Sequence, residues 1–124
     1  MTYHRIDPEE LPETEDYPCD RRGISDDAEL MALHAATYEM APGEPLSRTY
    51  HYHEQREELF YVVSGRLRVE TPEGEFVVPT GETFVAEPES PHRAHNPEDA
   101  EEPVRVLGVG APKSDIALPY DPEE

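Results

Sequence analysis

The sequence is poor in cysteine, lysine and tryptophan. Its 124 residues include one cysteine, one lysine and no tryptophan. Because Cys19 is alone, no disulfide can form within the chain, and nothing requires an oxidising compartment. No apolar run approaches the length of a membrane span, and residues 1–16 lack the apolar stretch of a secretory signal. We therefore expect a soluble, cytoplasmic protein without a membrane partner.

Positive charge is also scarce. Lysine and arginine total 10 against 29 acidic residues, which gives a formal net charge of −19. Phosphate groups repel such a chain, so nucleic acids and anionic membranes are not expected partners. With Lys113 as the only lysine, the composition fits a halophile's cytoplasm, where high salt screens the repulsion between carboxylates. The alternative, an acidic disordered protein, applies at most to the ends, because the middle has alternating apolar residues.

The length predicts one domain with a proline-rich segment at each end. Residues 1–27 are acidic, carry three prolines and show neither a two-residue nor a 3.6-residue period. We expect this segment to be an extended arm that lies across the domain or a partner subunit. Residues 28–110 form the expected folded domain, a β-barrel on the evidence below, and residues 111–124 are expected to be a tail.

Residues 28–40 are ambiguous. Their alanines and leucines favour a helix, yet alternate residues from Leu30 to Met40 also follow the two-residue period of a strand. Pro42 and Gly43 end the segment in either case. Propensity alone slightly favours the helix.

From residue 46 onward the pattern is that of β-strands. Residues 59–63 are an apolar, β-rich run, and residues 66–70 alternate so that Leu67 and Val69 face inward. Similar short segments follow to residue 109, and turn signals recur every eight to twelve residues or so. Such spacing indicates a sandwich or a barrel rather than alternating strands and helices.

Two histidines precede the most strand-like segment. His51 and His53 are two residues apart, so in an extended chain their imidazoles point to the same face. Neutral imidazoles with a carboxylate are good ligands for Zn, Fe, Mn, Ni or Cu. Glu57 and Glu58 are both candidates for the carboxylate, because the polar residues between them and His53 make the phase uncertain. His92, far along the chain, is a candidate third imidazole.

Two patterns of fixed spacing contain these residues. The first consists of Gly43, His51, His53, Glu58 and Gly65, with four residues between His53 and Glu58 and six between Glu58 and Gly65. The second consists of Gly81, a proline-containing loop, His92 and Asn96. In both patterns the chain resembles the cupins, specifically small single-domain members, over about residues 36–110. The loop before His92 departs from the family pattern, because Glu89 stands where a glycine is common.

The resemblance implies a fold and a site. The fold would be an all-β jelly roll, or double-stranded β-helix, with residues 30–40 as a strand and the N-terminal arm packed across a homodimer. One divalent metal ion would lie inside the barrel, held by His51, His53, Glu58 and His92. The spacing to Gly65 selects Glu58 over Glu57.

The remaining polar residues have plainer interpretations. We expect His34 to be packed or hydrogen-bonded rather than a ligand, and Arg56 and Arg93 to form surface ion pairs. His95 is a weak candidate for a general base, and Cys19 has no surroundings that would make it a reactive thiolate.

The family leaves three kinds of function open. A metal-dependent oxygenase acting on a small organic molecule is one, and a sugar-isomerase-like enzyme is the second. The third is a non-catalytic module that binds a small molecule, because a fold does not fix a function.

Overall fold

The computed structural model describes residues 1–123. It contains a 3₁₀ helix at Pro8–Glu10, an α-helix, α1, at Ile24–Asp27, and ten β-strands. The strands are β1 (Asp20–Gly23), β2 (His34–Met40), β3 (His51–Tyr52), β4 (Glu57–Ser64), β5 (Arg66–Thr71), β6 (Gly74–Pro79), β7 (Thr83–Ala86), β8 (Arg93–His95), β9 (Val104–Ala111) and β10 (Leu118–Pro119). The expected all-β class is confirmed.

The strands form two antiparallel sheets and a short ribbon. The larger sheet has the order β1-β2-β9-β4-β7, the smaller has the order β6-β5-β8, and β10 pairs with β3. β4 pairs with β9 and β7, whereas β5, the next strand, pairs with β6 and β8 in the other sheet. A chain that crosses between two antiparallel sheets in this way forms a jelly roll, as expected.

The hydrophobic core lies between the two sheets. Leu67 and Val69 on β5 are fully buried, as the alternation predicted, and Val62 on β4 is fully buried too. Gly65 makes the tight connection between β4 and β5 with φ +82°, and an added Cβ would lie 2.6 Å from the carbonyl oxygen of Pro103. The crossover between the sheets therefore needs a glycine at this position.

The ambiguous segment forms a strand at its C-terminal half. β2 begins at His34 and pairs with β1 on one side and β9 on the other. Ala36, Tyr38 and Met40 are buried, so the two-residue period describes this segment correctly. Pairing with strands distant in sequence overrides the helix propensity of its alanines. The strand is shorter than the 30–40 that the resemblance implied.

The N-terminal segment contributes one strand to the larger sheet. β1 is the edge strand beside β2, and α1 follows it directly. Leu11 and Cys19 in this segment are buried within the fold of the chain itself. The sequence had indicated no regular element here, because β1 has only four residues and its pairing partner lies more than ten residues away.

The C-terminal segment folds back over the barrel rather than leaving it. β9 extends to Ala111, and β10 pairs with β3 so that Pro119 lies opposite His51. The segment expected to be a tail therefore lies beside the histidine pair. Among residues 1–123, no helix has the length and apolar character needed to cross a membrane.

Candidate metal centre

The histidines of the two motifs meet across a β-bridge. The backbone N–H of His51 donates to the carbonyl of His92 at 3.2 Å, and the N–H of His92 donates to the carbonyl of His51 at 2.9 Å. Their ring centroids lie 4.9 Å apart, and those of His51 and His53 lie 5.2 Å apart. All three imidazoles are buried. The fold thus brings together side chains that are about forty residues apart.

Glu58, and not Glu57, faces these imidazoles. Glu58 Oε1 lies 2.9 Å from His53 Nε2, and Glu58 Oε2 lies 3.0 Å from His92 Nε2. The Glu58 side chain is 10% exposed, whereas Glu57 is exposed to solvent. Alternation along β4 places Glu58 on the inward face with Phe60. We call His51, His53, Glu58 and His92 the His–Glu cluster.

Two imidazoles are held in one orientation by backbone carbonyls. His51 Nδ1 lies 2.9 Å from the carbonyl oxygen of Thr49, and His92 Nδ1 lies 2.9 Å from that of Ser90. A carbonyl only accepts, so each Nδ1 carries the proton and donates. In the neutral imidazoles each Nε2 then presents a lone pair, which is the form that ligates metals.

His53 is oriented differently. Its Nδ1 is buried without a hydrogen-bond partner among residues 1–123, and Asp115 Oδ2 lies 3.7 Å away, beyond hydrogen-bond reach. Asp115 is itself fixed, because it accepts the backbone N–H groups of Gln55 and Arg56 at 3.0 Å each. The carboxylate is therefore held at the back of the His53 ring.

Glu58 and the imidazoles of the cluster face one another with acceptor atoms. With Nδ1 of His92 protonated, its Nε2 lone pair faces a carboxylate oxygen of Glu58, and two acceptors so close require a proton or a cation between them. Burial alone would raise the pKa of Glu58, but hydrogen bonds with His53 and His92 outweigh burial and hold that pKa well below its usual range.

The pKa values of His51 and His92 shift in opposite directions. Burial lowers the pKa of His51. For His92, burial acts in the same sense, but the contact with Glu58 outweighs it and the pKa is raised.

The donor set and its spacing fit a divalent ion. The ligand atoms of His51, Glu58 and His92 all lie within 4.8 Å of one another. Two ligand atoms at right angles, each about 2.1 Å from one ion, lie about 3.0 Å apart. Glu58 Oε2 and His92 Nε2, 3.0 Å apart, have that spacing, and His53 lies beside this group of three with its Nε2 2.9 Å from the other carboxylate oxygen of Glu58.

A cavity of about 620 Å³ opens onto the cluster. Leu46 and Phe60 give it apolar surface close to the histidines. Much of the remaining wall comes from the two ends of the chain: Thr14, Tyr17, Arg21, Lys113, Asp115 and Ile116. We call these six residues the flanking wall.

Other residues considered in the sequence have structural roles. His34 Nε2 lies 3.1 Å from Arg21 Nη2, so it is a hydrogen-bonded histidine as expected, and burial lowers its pKa to about 4. His95, a weak candidate for a general base, is not among the residues that line the cavity. Arg93 forms the expected surface ion pair with Glu70 at 3.6 Å. Burial raises the pKa of the Cys19 thiol to about 12, which agrees with an unreactive cysteine.

Arg56 differs from its expected role. Its side chain is only 11% exposed, and Nε and Nη2 donate to the carbonyl oxygens of Pro112 and Lys113. Nη1 lies 3.5 Å from Glu58 Oε1. Arg56 therefore ties the C-terminal segment to β4 rather than forming a surface ion pair.

No pattern in the sequence indicates the flanking wall. Asp115 contacts the backbone 60 positions earlier in the chain, and no local pattern in residues 111–124 signals that contact. Arg21 reaches the cavity because β1 joins the sheet beside β2. In both cases the missing information was strand pairing, that of β1 with β2 and that of β10 with β3.

The chain belongs to the cupin family. A family model described as a cupin domain matches residues 36–110, which contain the whole His–Glu cluster. No curated protein matches the chain in sequence.

Solved structures share the fold at low sequence identity. A sugar phosphate isomerase of the cupin superfamily from Silicibacter pomeroyi is 20% identical with a TM-score of 0.79, covering 95% of this chain and 82% of that one. A polyketide cyclase from Streptomyces resistomycificus is 20% identical with a TM-score of 0.76, covering 98% and 90%. A protein from Acidithiobacillus ferrooxidans, provisionally described as a sugar phosphate isomerase, is 20% identical with a TM-score of 0.71; 81% of this chain is covered, but only 64% of that one.

Proposed function

We propose that the chain binds one divalent metal ion through His51, His53, Glu58 and His92 and uses it to act on a small organic molecule in the adjoining cavity. The observation that carries the proposal is the convergence of three buried imidazoles and one carboxylate, of which His51, His53 and Glu58 line a cavity of about 620 Å³. Zn, Fe, Mn, Ni and Cu all suit this donor set.

The reaction we favour is that of a metal-dependent oxygenase. A bound redox-active ion would supply a site for O₂ chemistry and for a chelating substrate. Two acid–base groups of the cavity outside the cluster are already engaged, because His34 contacts Arg21 and Asp115 accepts two backbone N–H groups. Chemistry that needs no separate protein base suits such a cavity. Leu46 and Phe60 would keep water away from the bound molecule.

A sugar-isomerase-like enzyme is the second candidate. Two proteins of the same fold carry that description, from Silicibacter pomeroyi and Acidithiobacillus ferrooxidans, which is an analogy at the level of the fold. Such a reaction needs a group that moves a proton, and within residues 1–123 His34 is the only histidine of the cavity outside the cluster. A non-catalytic binding module would keep the metal and the ligand but show no turnover.

The cellular setting is part of the proposal. A net charge of −19 supports a protein adapted to high salt in the cytoplasm, with no nucleic-acid partner. Full, unchanged structure in low-salt buffer would contradict the adaptation to salt.

A homodimer is supported by the outer face of the larger sheet. Leu59, Tyr61, Val63 and Val85, on the neighbouring strands β4 and β7, are 37–57% exposed there. Sedimentation of the protein as a monomer at micromolar concentration would contradict the dimer.

The test is elemental analysis of protein purified in high salt without an affinity tag. The wild type should carry about one metal ion per chain, and a His51→Ala/His92→Ala double variant should carry almost none. His4→Ala is the matched control, because His4 is exposed in the N-terminal segment. Metal that is absent from the wild type, or retained in the double variant, would refute the site.

The identity of the metal then separates the reactions. Iron, copper, nickel or manganese with uptake of O₂ would support the oxygenase. Zinc or manganese with carbonyl isomerisation and no O₂ uptake would support the isomerase, and metal without turnover would support the binding module.

A further inference from the structure

The charge of the cavity is opposite to that of the molecule. Of the residues that the structure describes, four cationic and two acidic residues line it, whereas the sequence has 10 cationic and 29 acidic residues. The cations are Arg21, Arg48, Arg56 and Lys113, and the acids are Glu58 and Asp115. In a chain of net charge −19, a cavity with an excess of cations is a local field that attracts anions.

Both acids of the cavity are already occupied. Glu58 contacts His53 and His92, and Asp115 accepts the backbone N–H groups of Gln55 and Arg56. Neither carboxylate is free to bind a cationic group of a ligand.

Three of the four cations are also engaged. Arg21 lies 3.3 Å from Asp26. Arg56 donates to two backbone carbonyls, and Lys113 Nζ donates to the carbonyl of Leu30 at 3.0 Å. Each of the three also has a carboxylate within 4.0 Å, which is Asp26 for Arg21 and Lys113 and Glu58 for Arg56.

Arg48 is different. Its side chain is exposed at the cavity, and no carboxylate of residues 1–123 lies within 4.0 Å of its guanidinium. The guanidinium is nevertheless held in place, because it lies 4.9 Å from the ring centroid of Tyr17 and Nη2 donates to the carbonyl of Asp16 at 2.7 Å. A guanidinium has five N–H donors, so most of its donors remain available in a fixed orientation.

We propose that the cavity selects a small molecule with an anionic group, a carboxylate or a phosphate, and that Arg48 is the residue that binds this group. Both groups accept paired hydrogen bonds from a guanidinium. The inference rests on the proposed function, in that the remainder of the molecule would extend toward the His–Glu cluster. Tyr17 acts as a positioning residue, because its ring supports the guanidinium.

The experiment compares three ligands that share a carbon skeleton. Zinc-loaded protein is titrated calorimetrically, at constant ionic strength, with D-glucose 6-phosphate, D-gluconate and neutral D-glucose. We expect at least one anion to bind at least about tenfold more tightly than glucose, because the charge-assisted hydrogen bonds exist only for the anions. The phosphate and carboxylate arms show which group is preferred.

Two variants locate the contact. Arg48→Gln should weaken binding of the preferred anion by about tenfold or more. Arg66→Gln, a matched change at an exposed arginine that does not line the cavity, should change it less than about twofold. Equal binding in Arg48→Gln and the wild type, equal binding of glucose and the anions, or no binding of any of the three would each overturn the inference.

The zinc content of the same samples keeps this result separate from the metal proposal. Zinc retained in Arg48→Gln with unchanged anion binding would refute the anion site alone. If zinc fails to bind the wild type, the metal proposal fails, and titration of the metal-free protein still tests Arg48.

Discussion

The His–Glu cluster and the flanking wall surround one cavity but differ in origin. Every residue of the cluster lies within residues 36–110, which match the family. Every residue of the flanking wall lies outside that range, before residue 36 or after residue 110. The segment that matches the family thus contains the cluster, while the segments on either side of it shape the space in front of the cluster.

The two regions are also held by different interactions. Backbone carbonyls two residues upstream orient His51 and His92, so the cluster depends on local geometry within the barrel. The flanking wall depends on contacts between distant segments, such as those of Asp115 with Gln55 and Arg56. We therefore expect changes in the cluster to abolish metal binding and changes in the wall to modulate it.

The largest effect is expected for Glu58→Ala. This change removes the carboxylate that lies between two imidazoles. It should lower metal affinity by at least about 100-fold, because about 100-fold is already the upper end of the loss caused by changing a residue that only supports a ligand. Competition with a chromogenic chelator measures the affinity. Glu57→Ala is the matched control on the same strand, and a loss as large in the control would show that the two glutamates are not distinguished.

A smaller loss is expected for Asp115→Ala. The carboxylate 3.7 Å from His53 Nδ1 favours the orientation that directs Nε2 toward Glu58, so its removal should weaken metal binding by about tenfold. The same chelator assay applies, with Asp121→Ala as a control in the same segment. Unchanged affinity in Asp115→Ala would mean that the wall does not support the cluster.

The pH dependence of stability tests the contribution of His34, which contacts Arg21 of the flanking wall. Burial lowers its pKa from 6.5 to about 4, so between these values the unfolded state binds more protons than the folded state. The contribution of His34 to stability is complete above pH 6.5 and is lost as the pH falls towards 4. Urea unfolding at pH 7, 5.5 and 4.5 should show a smaller loss for His34→Gln than for the wild type. Parallel losses in the two proteins would contradict this assignment.

The smallest effect is expected for Glu89→Gly. Glu89 occupies a left-handed conformation with φ 65°, and its N–H donates to the carbonyl of His53. Glycine relieves the strain but loses more entropy on folding, so the net gain in unfolding free energy should be below about 1 kcal/mol. Thermal unfolding measures it, and marked destabilisation would show that the Glu89 side chain, rather than its backbone, matters.

The sequence predicted that the four side chains of the cluster lie together, but it predicted hardly any of the wall. The spacing of His51, Glu58 and Gly65 reflects a strand, a turn and a crossover that lie close together in the chain, so the motif could be recognised in the sequence. The conformation of Glu89 shows that the loop before His92 keeps a glycine-like geometry despite the substitution.

What the sequence could not supply was long-range pairing. The residues of β2 are as compatible with a helix as with a strand, and the pairing of β2 with β1 and β9 decides in favour of the strand. β10 has two residues, too few to give a period, yet its pairing with β3 places the C-terminal segment beside His51. Such short strands are defined by their partners rather than by their own residues.

X-ray absorption at the metal edge tests the central claim most directly, because it counts the ligands of the bound ion. Zinc-loaded wild type should show three imidazoles and a carboxylate oxygen, and His53→Ala should lose one imidazole. A wild-type spectrum with fewer than three imidazoles, or one that His53→Ala leaves unchanged, would contradict the assignment of the His–Glu cluster as the metal site.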